Sequence, residues 1–326
     1  MNDAKHLDAE RRPTAQRVAA IVTSFRPDAS LVEHCALLAE QVHRVVVIDD
    51  GSGAAADEVL TALADAGVQV ERQPQNAGIA NAINRGYAAM EAFDPELVIT
   101  FDQDSRVTPG FVEALVAQYD RSLEAGIRVG MVAPEYFAGF KQTQMPQRNG
   151  YLEAYQPIQS GLLMPLAVIR VLGPQRGDFF IDSVDTEYYL RAIRAGYASV
   201  CAPKLDMPHS LGHKLHVRVL GRTLKNKRGN PRSISVSSPF RYYYRIRNRM
   251  VLNREYLSLQ SHRALMLRDT FREYLHYCFA LYCCRGKAAL VSVLWAGCRA
   301  GRKRRMGKIP DAVAARSRKV TWRNPA

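Results

Sequence analysis

Between Val18 and Phe137 the chain alternates short apolar runs of strand length with stretches of helical periodicity, and that alternation leaves few folds open. The strand-like runs are VAAIVTSF, RVVVIDD, VQVERQ, LVITFDQD and VGMVAP. Most are rich in β-branched residues without polar alternation, as expected of strands buried on both faces. Between them lie SLVEHCALLAEQV, DEVLTALADAG, GIANAINRGYAAMEAF and PGFVEALVAQYDRSLEAG, with apolar residues at helical spacing. In the third of these Ile79, Ile83, Tyr87 and Met90 share a face. The fourth opens with Pro109 at a first-turn position and closes on Gly126. Strands alternating with helices predict an α/β fold, a mostly parallel sheet with helices on both faces. Ligands of such sheets bind beyond the carboxyl ends of the strands.

Acidic residues gather at those ends. Asp49 and Asp50 close the second run, and Asp102 and Asp104 close the fourth. A carboxylate there can simply cap the next helix. Four of them at two strand ends on one rim read as a site. In FDQDS two carboxylates two residues apart, where the chain turns, can converge on one hard cation that keeps positions open for phosphate oxygens. In QNAGIANAINRG, Asn76 and Gly78 precede a helix start, where backbone amides can approach a ligand closely; an ordinary helix cap is the alternative.

Further on, QSGLLMPL and YASVCAPK read as additional strands. In FFIDSVDTEYYLR, Asp182 and Asp185 precede or begin a helix. Asp185 can cap that helix, or act as a base kept ionised by the helix N-terminus. His209 in PHSLGH follows a strand-like run and can offer imidazole to a metal, with His213 four residues on. LKNKRGNPRSIS reads as a loop or linker, and FRYYYRIRNRMVLNREYL and LRDTFREYLHYCFALYCC as basic, aromatic helices.

Charge divides the chain. Net charge is +14, yet residues 211–326 hold 27 Lys/Arg against 4 Asp/Glu, while the preceding residues are acidic. Such asymmetry suits an anionic partner: nucleic acid, lipid head groups or a phosphorylated substrate. The six cysteines form no C-x-x-C pair and have no histidine at finger-like spacing, which predicts reduced thiols and a cytoplasmic location. Residues 1–17 read as a flexible polar tail, not a secretory signal. No run of about 18 apolar residues that would span a membrane occurs.

Together AIVTSFRPD, VVVIDDGS, QNAGIANAINRG, FDQDS, QSGLLM, FFIDSVDTEYYLR and MPHSLGH resemble, in order and spacing, the family 2 glycosyltransferases. DQDS, IDSVDTE and HSLG are especially similar to bacterial rhamnosyltransferases that build surface polysaccharides, and YYYRIRNRMVL to the segment that follows their catalytic domain. The resemblance implies a GT-A fold over residues 18–230, with a basic helical region over 231–326. It implies that Thr23, with Asp49 or Asp50 or both, holds the nucleotide's base and ribose, and that Asn76 and Gly78 line the nucleotide-sugar pocket. Asp102 and Asp104 match the metal-binding pair for Mg2+ or Mn2+, His209 a late metal or diphosphate ligand, and Asp185 the catalytic base. Ser160 and Gly161 would shape the wall beside donor and acceptor.

The expected reaction is inverting transfer of a sugar, with dTDP-rhamnose the favoured donor, to a lipid-linked or polysaccharide acceptor, as in lipopolysaccharide O-antigen synthesis. A UDP-hexose or UDP-galactofuranose is the alternative donor. The basic segments Arg241–Arg249, with their tyrosines, and GCRAGRKRRMGK are expected to rest on the anionic inner face of the cytoplasmic membrane. A nucleic-acid-binding protein or inactive scaffold is the competing class; the acidic strand ends argue against nucleic acid as a partner, and the intact Asp102, Asp104 and Asp185 against a scaffold. No G-x-G-x-x-G follows the first strand, which disfavours a dehydrogenase.

Overall fold

The computed structural model describes residues 13–143, 151–208, 213–219, 222–225, 229, 231 and 233–323. They pack as two units, one within Met1–Gln175 and Tyr188–His209, the other within Arg176–Glu187 and Ser210–Ala326.

The first unit is built on an eight-stranded sheet. Its strands are β1 (Val18–Ser24), β2 (Arg44–Asp49), β3 (Gln69–Arg72), β4 (Leu97–Asp102), β5 (Val129–Phe137), β6 (Phe140–Lys141), β7 (Leu162–Pro165) and β8 (Ala198–Met207). The order is β3-β2-β1-β4-β7-β5-β6, with β8 alongside β5. Strands β1 to β4 pair in parallel, and β7 runs antiparallel between β4 and β5. Its helices are α1 (Thr14–Arg17), α2 (Ser30–Ala39), α3 (Asp57–Asp65), α4 (Ile79–Met90), α5 (Phe111–Glu124) and α6 (Leu166–Leu172). Helix α7 (Val184–Arg194) is divided between the units.

The predicted α/β alternation is therefore the observed one. Every residue of β1 is buried, and burying each of its larger aliphatic side chains is worth roughly 1.5–3 kcal/mol. Helix α4 turns Ile83, Tyr87 and Met90 inward as the spacing predicted. It can close on β1 because Gly86 has no side chain; a Cβ there would lie 2.4 Å from a methyl of Ile21. Both neighbours of β1, β2 and β4, run parallel to it, and the strand order reverses there. That reversal opens a crevice at the carboxyl ends of these strands.

The second unit has short strand pairs: β9 (His213–His216) with β12 (Ser233–Val236), β10 (Arg218–Val219) with β11 (Arg222–Thr223), and β13 (Cys284–Arg285) with β14 (Thr321–Trp322). Its helices are α8 (Arg241–Tyr256), α9 (Gln260–Cys283), α10 (Lys287–Arg302) and α11 (Asp311–Ser317). The α8–α10 crossing is close because Gly297 and Gly301 face α8; a Cβ at Gly297 would lie 2.5 Å from the carbonyl oxygen of Tyr243. Helix α9 runs along α8, tied by the Arg245–Glu273 ion pair and by Asn253 on Thr270.

Two expectations are corrected here. The end of LKNKRGNPRSIS is not loop, since Ser233–Ser235 pair with β9. The Arg241–Arg249 segment does not offer its tyrosines to a membrane: Tyr242, Tyr243, Tyr244 and Arg247 are buried in the core of the unit. Alternating Arg and Tyr suits an interface of either kind, and here the partner is the protein's own interior. All six cysteines are free thiols. Among the described residues no helix is long and apolar enough to cross a membrane.

Candidate active site

Thr23, Asp49 and Asp102 stand at the carboxyl ends of three adjacent strands, with Thr23 in register with Asp102 and Ser24 with Asp49. Asp49 is buried, and Ser52 engages both its oxygens, by the backbone N–H at 3.0 Å and by the hydroxyl. The Ser52 hydroxyl also accepts the N–H of Arg26 at 2.6 Å, tying the loops after β1 and β2 together. This fixes the side of the crevice assigned to base and ribose.

Asp50 has a different task. Its two oxygens accept the N–H groups of Ala77, at 2.8 Å, and Gly78, at 2.9 Å. Placing the carboxylate at the start of α4 suits the helix field, and it fastens the loop carrying Asn76 to the end of β2. Gly51 makes that approach possible: its φ is +75°, and a Cβ would lie 2.2 Å from the carbonyl carbon of Gln75. Gly78 itself has φ +94° as the cap of α4.

On the other side, the Asp102–Ser105 turn is held from below. Ser160 is fully buried, and its hydroxyl accepts the N–H of Asp102 at 3.1 Å and meets the Ser105 hydroxyl at 2.5 Å. Gly161 donates its N–H to the carbonyl of Thr100 at 2.8 Å, in a left-handed conformation with φ +78°. A Cβ there would meet the Met207 methyl at 2.8 Å and the Phe111 ring at 3.2 Å, and the positive φ favours glycine in its own right. Above this support Asp102 is half-buried and Asp104 exposed.

The residues present fit a divalent cation. Magnesium and manganese take one or two carboxylates and complete their shell with substrate phosphates, and the Asp102/Asp104 turn offers that donor set. Among the described residues no group of three or more His, Cys, Asp or Glu side chains gathers as a self-sufficient metal cage. His209 lies outside the described residues.

Thr23, Asp49, Asp50, Asn76, Gly78, Asp102, Asp104, Ser160 and Gly161 thus come together within the first unit. Sequence reasoning missed Gln103, whose side-chain oxygen accepts the N–H of Phe25 at 2.7 Å. It also missed the buried Gln159, bonded to Thr100 and Gln175. Neither residue type carries a signal by itself.

Asp185 belongs to the second unit and sits in the first turn of α7. Its Oδ1 accepts the N–H of Thr186 at 2.7 Å. Loss of water around the carboxyl pushes its pKa up from the ordinary 3.8, outweighing that hydrogen bond, and nearby Asp182 adds to the rise. A carboxylate with a raised pKa is a better proton acceptor.

Residues 20–163 match the glycosyl transferase family 2 model. The chain is 27% identical over 248 residues to dTDP-rhamnosyl transferase RfbF of Shigella flexneri, covering 72% of this chain and 79% of that protein. Among solved structures, S. aureus TarS 1–349 superposes with a TM-score of 0.54 at 13% identity, over 92% of this chain and 82% of that one. A longer S. aureus TarS structure gives a TM-score of 0.51 at 13% identity, covering 79% of this chain and only 43% of that one.

Proposed function

We propose that this chain, whose residues 20–163 match the glycosyl transferase family 2 model and whose fold is of GT-A type, is a glycosyltransferase that moves L-rhamnose from dTDP-rhamnose to a hydroxyl of a lipid-linked or polysaccharide acceptor. The observation that carries the reading is the crevice at the ends of β1, β2 and β4, where buried Asp49 flanks one side and the Asp102–Asp104 turn the other. Likeness to RfbF supports the choice of sugar.

In this reading residues 18–230 form the catalytic part and 231–326 the basic helical region. Thr23 and Asp49 hold base and ribose, Asp50 keeps the Asn76–Gly78 wall in place, and Ser160 and Gly161 shape the wall beside the sugar. Asp102 and Asp104 would hold Mg2+ or Mn2+, with His209 as a further ligand. When bound, that ion neutralises charge on the departing diphosphate. Asp185 takes the proton of the acceptor hydroxyl as its oxygen bonds to the anomeric carbon and the bond to the diphosphate oxygen breaks. Attack with simultaneous departure inverts the anomeric centre.

The acceptor side of the proposal includes an anionic membrane, met through α9 rather than α8. Leu267, Phe271, Tyr274, Leu275 and Tyr282 are 49%, 64%, 48%, 53% and 58% exposed. At helical spacing they fall within an arc of about 100°, away from the buried His262, Met266, Tyr277 and Ala280. On α10 Trp295 is 63% exposed, beside Arg299, Arg302 and Lys303. An apolar, aromatic stripe in a basic region suits a headgroup boundary. A second copy would set like charge against like.

Calorimetric titration with dTDP-rhamnose, UDP-glucose and UDP-galactofuranose, each with and without Mg2+ or Mn2+, tests the donor. Metal-dependent selectivity for dTDP-rhamnose is expected; selectivity for a UDP-sugar would overturn the donor assignment, and binding of none would overturn the enzyme reading.

A further inference from the structure

We propose that Arg241, Arg247 and Asn248 of α8 are positioning residues that hold the Asp182–Asp185 turn in the conformation the base requires. The inference rests on the reading of Asp185 as that base.

Three residues just ahead of Asp185 have left-handed backbones although none is glycine: Phe180 at φ +68°, Asp182 at +65° and Ser183 at +62°. Such conformations are disfavoured for L side chains and persist only where surrounding structure over-determines them. Helix α8 supplies that constraint. Arg247 is fully buried and donates to the carbonyl oxygens of Phe179, at 2.8 Å, Asp178, at 3.3 Å, and Gly307, at 2.5 Å. Its Nε is bonded to Asn248 Oδ1 at 2.9 Å, which fixes how the Asn248 amide faces. Asn248 is buried as well, and its Nδ2 donates to the carbonyls of Phe179, Ile181 and Asp182 at 3.2, 3.0 and 2.7 Å.

Side chains complete the hold. Arg241 forms a two-pronged pair with Asp182, at 3.1 and 2.6 Å. The Phe180 ring stacks on Tyr244 with 5.2 Å between centroids and 10° between planes. In the same first turn of α7, Tyr256 donates its hydroxyl to Glu187 at 2.7 Å.

The chemistry of Arg247 separates this from ordinary packing. Burial opposes its charge and lowers its pKa, while its guanidinium lies over the faces of Tyr243 and Tyr244. A buried cation directed at main-chain carbonyls forms charge-assisted bonds with the loop's course, whatever side chains that loop bears. The Arg-Asn pair therefore sets the path of residues 178–182, and Arg241 holds the side chain of Asp182, whose charge is felt by Asp185. Misplacing a reacting group by about 1 Å costs up to a hundredfold in rate.

The test uses the whole chain with dTDP-rhamnose and Mg2+, reading dTDP release with water as acceptor. Asn248→Asp keeps the shape but sets an acceptor against three carbonyls. Arg241→Gln acts on a side chain 38% exposed and so spares the fold. Both should lower kcat about ten- to a hundredfold while leaving KM and donor affinity within about twofold; Arg241→Lys should recover part of the loss. If Asn248→Asp fails to fold, Arg241→Gln alone decides. Unchanged kcat in folded Arg241→Gln, with Asp185→Asn inactive, would overturn the positioning role and leave the base intact. Turnover retained by Asp185→Asn would overturn both.

Discussion

The hydroxyl of Ser160, in the turn that leads into β7, accepts the backbone N–H of Asp102, at the end of β4, so the turn that bears the acidic pair hangs from a neighbouring turn. Ser160→Ala would leave that N–H and the Ser105 hydroxyl without this partner in a buried place. Such a loss costs about 1–3 kcal/mol. We expect a lower melting temperature together with weaker Mg2+-dependent donor binding, measured by thermal shift and calorimetry. Loss of stability with unchanged metal-dependent binding would show that Ser160 serves the fold alone.

Asp185→Asn separates function from stability. Its folded pKa lies above the usual 3.8, so the stability it contributes is fully present below that value and is lost as pH rises through the folded pKa. Asparagine removes the buried charge. The variant should lose turnover, keep donor affinity, and match or exceed the parent's melting temperature at pH 7, with the advantage fading toward pH 4. In the parent, the acid limb of kcat/KM should lie above the ordinary aspartate range.

His276 gives the second unit an acid-sensitive joint. Its Nε2 lies 3.0 Å from the Tyr242 hydroxyl and 3.1 Å from Arg245 Nη1, and burial, followed by the Arg245 charge, lowers its pKa from 6.5 to about 4. The unfolded chain binds a proton at higher pH than the folded one, so stability falls as pH drops from about 6.5 to about 4 and the loss then levels off. His276→Gln should flatten that part of the profile in thermal unfolding measured from pH 4 to pH 8.

The α9 stripe is tested by Phe271→Ser with Leu275→Ser. Both side chains are more than half exposed, so the melting temperature should stay within a degree or two of the parent's. Sedimentation with vesicles containing phosphatidylglycerol should weaken about tenfold or more, since inserting such a side chain is worth about 1.5–3 kcal/mol. Binding that falls with salt but ignores these substitutions would leave only the charges at work.

What the chain betrays of itself follows from which interactions are local. Strand β1 is legible because all seven of its residues are buried and the first five, Val18 to Val22, form an unbroken apolar run. The acidic strand ends are legible because period and turn residues place them on one rim. Asp50 is legible as a strand-end carboxylate but not in its hydrogen bonds, since its partners Ala77 and Gly78 are 27 and 28 residues on. The raised pKa of Asp185 was hidden for the same reason: the helix terminus is visible locally, and the surrounding desolvation is not. Helix α8 misled most, because Tyr242, Tyr244 and Arg247 have the composition of an interfacial helix and the burial of a core.

Gly297 carries a consequence for how this chain can drift. It lies in the interior of α10, where alanine is the better helix former by about 1 kcal/mol, yet a methyl there would lie 2.5 Å from the carbonyl oxygen of Tyr243, one helical turn before Arg247. A change that local propensity rewards would push on the backbone that anchors the base. Random mutagenesis scored for activity should therefore find a silent-looking Gly297→Ala among its losses, in a helix that touches no reactant.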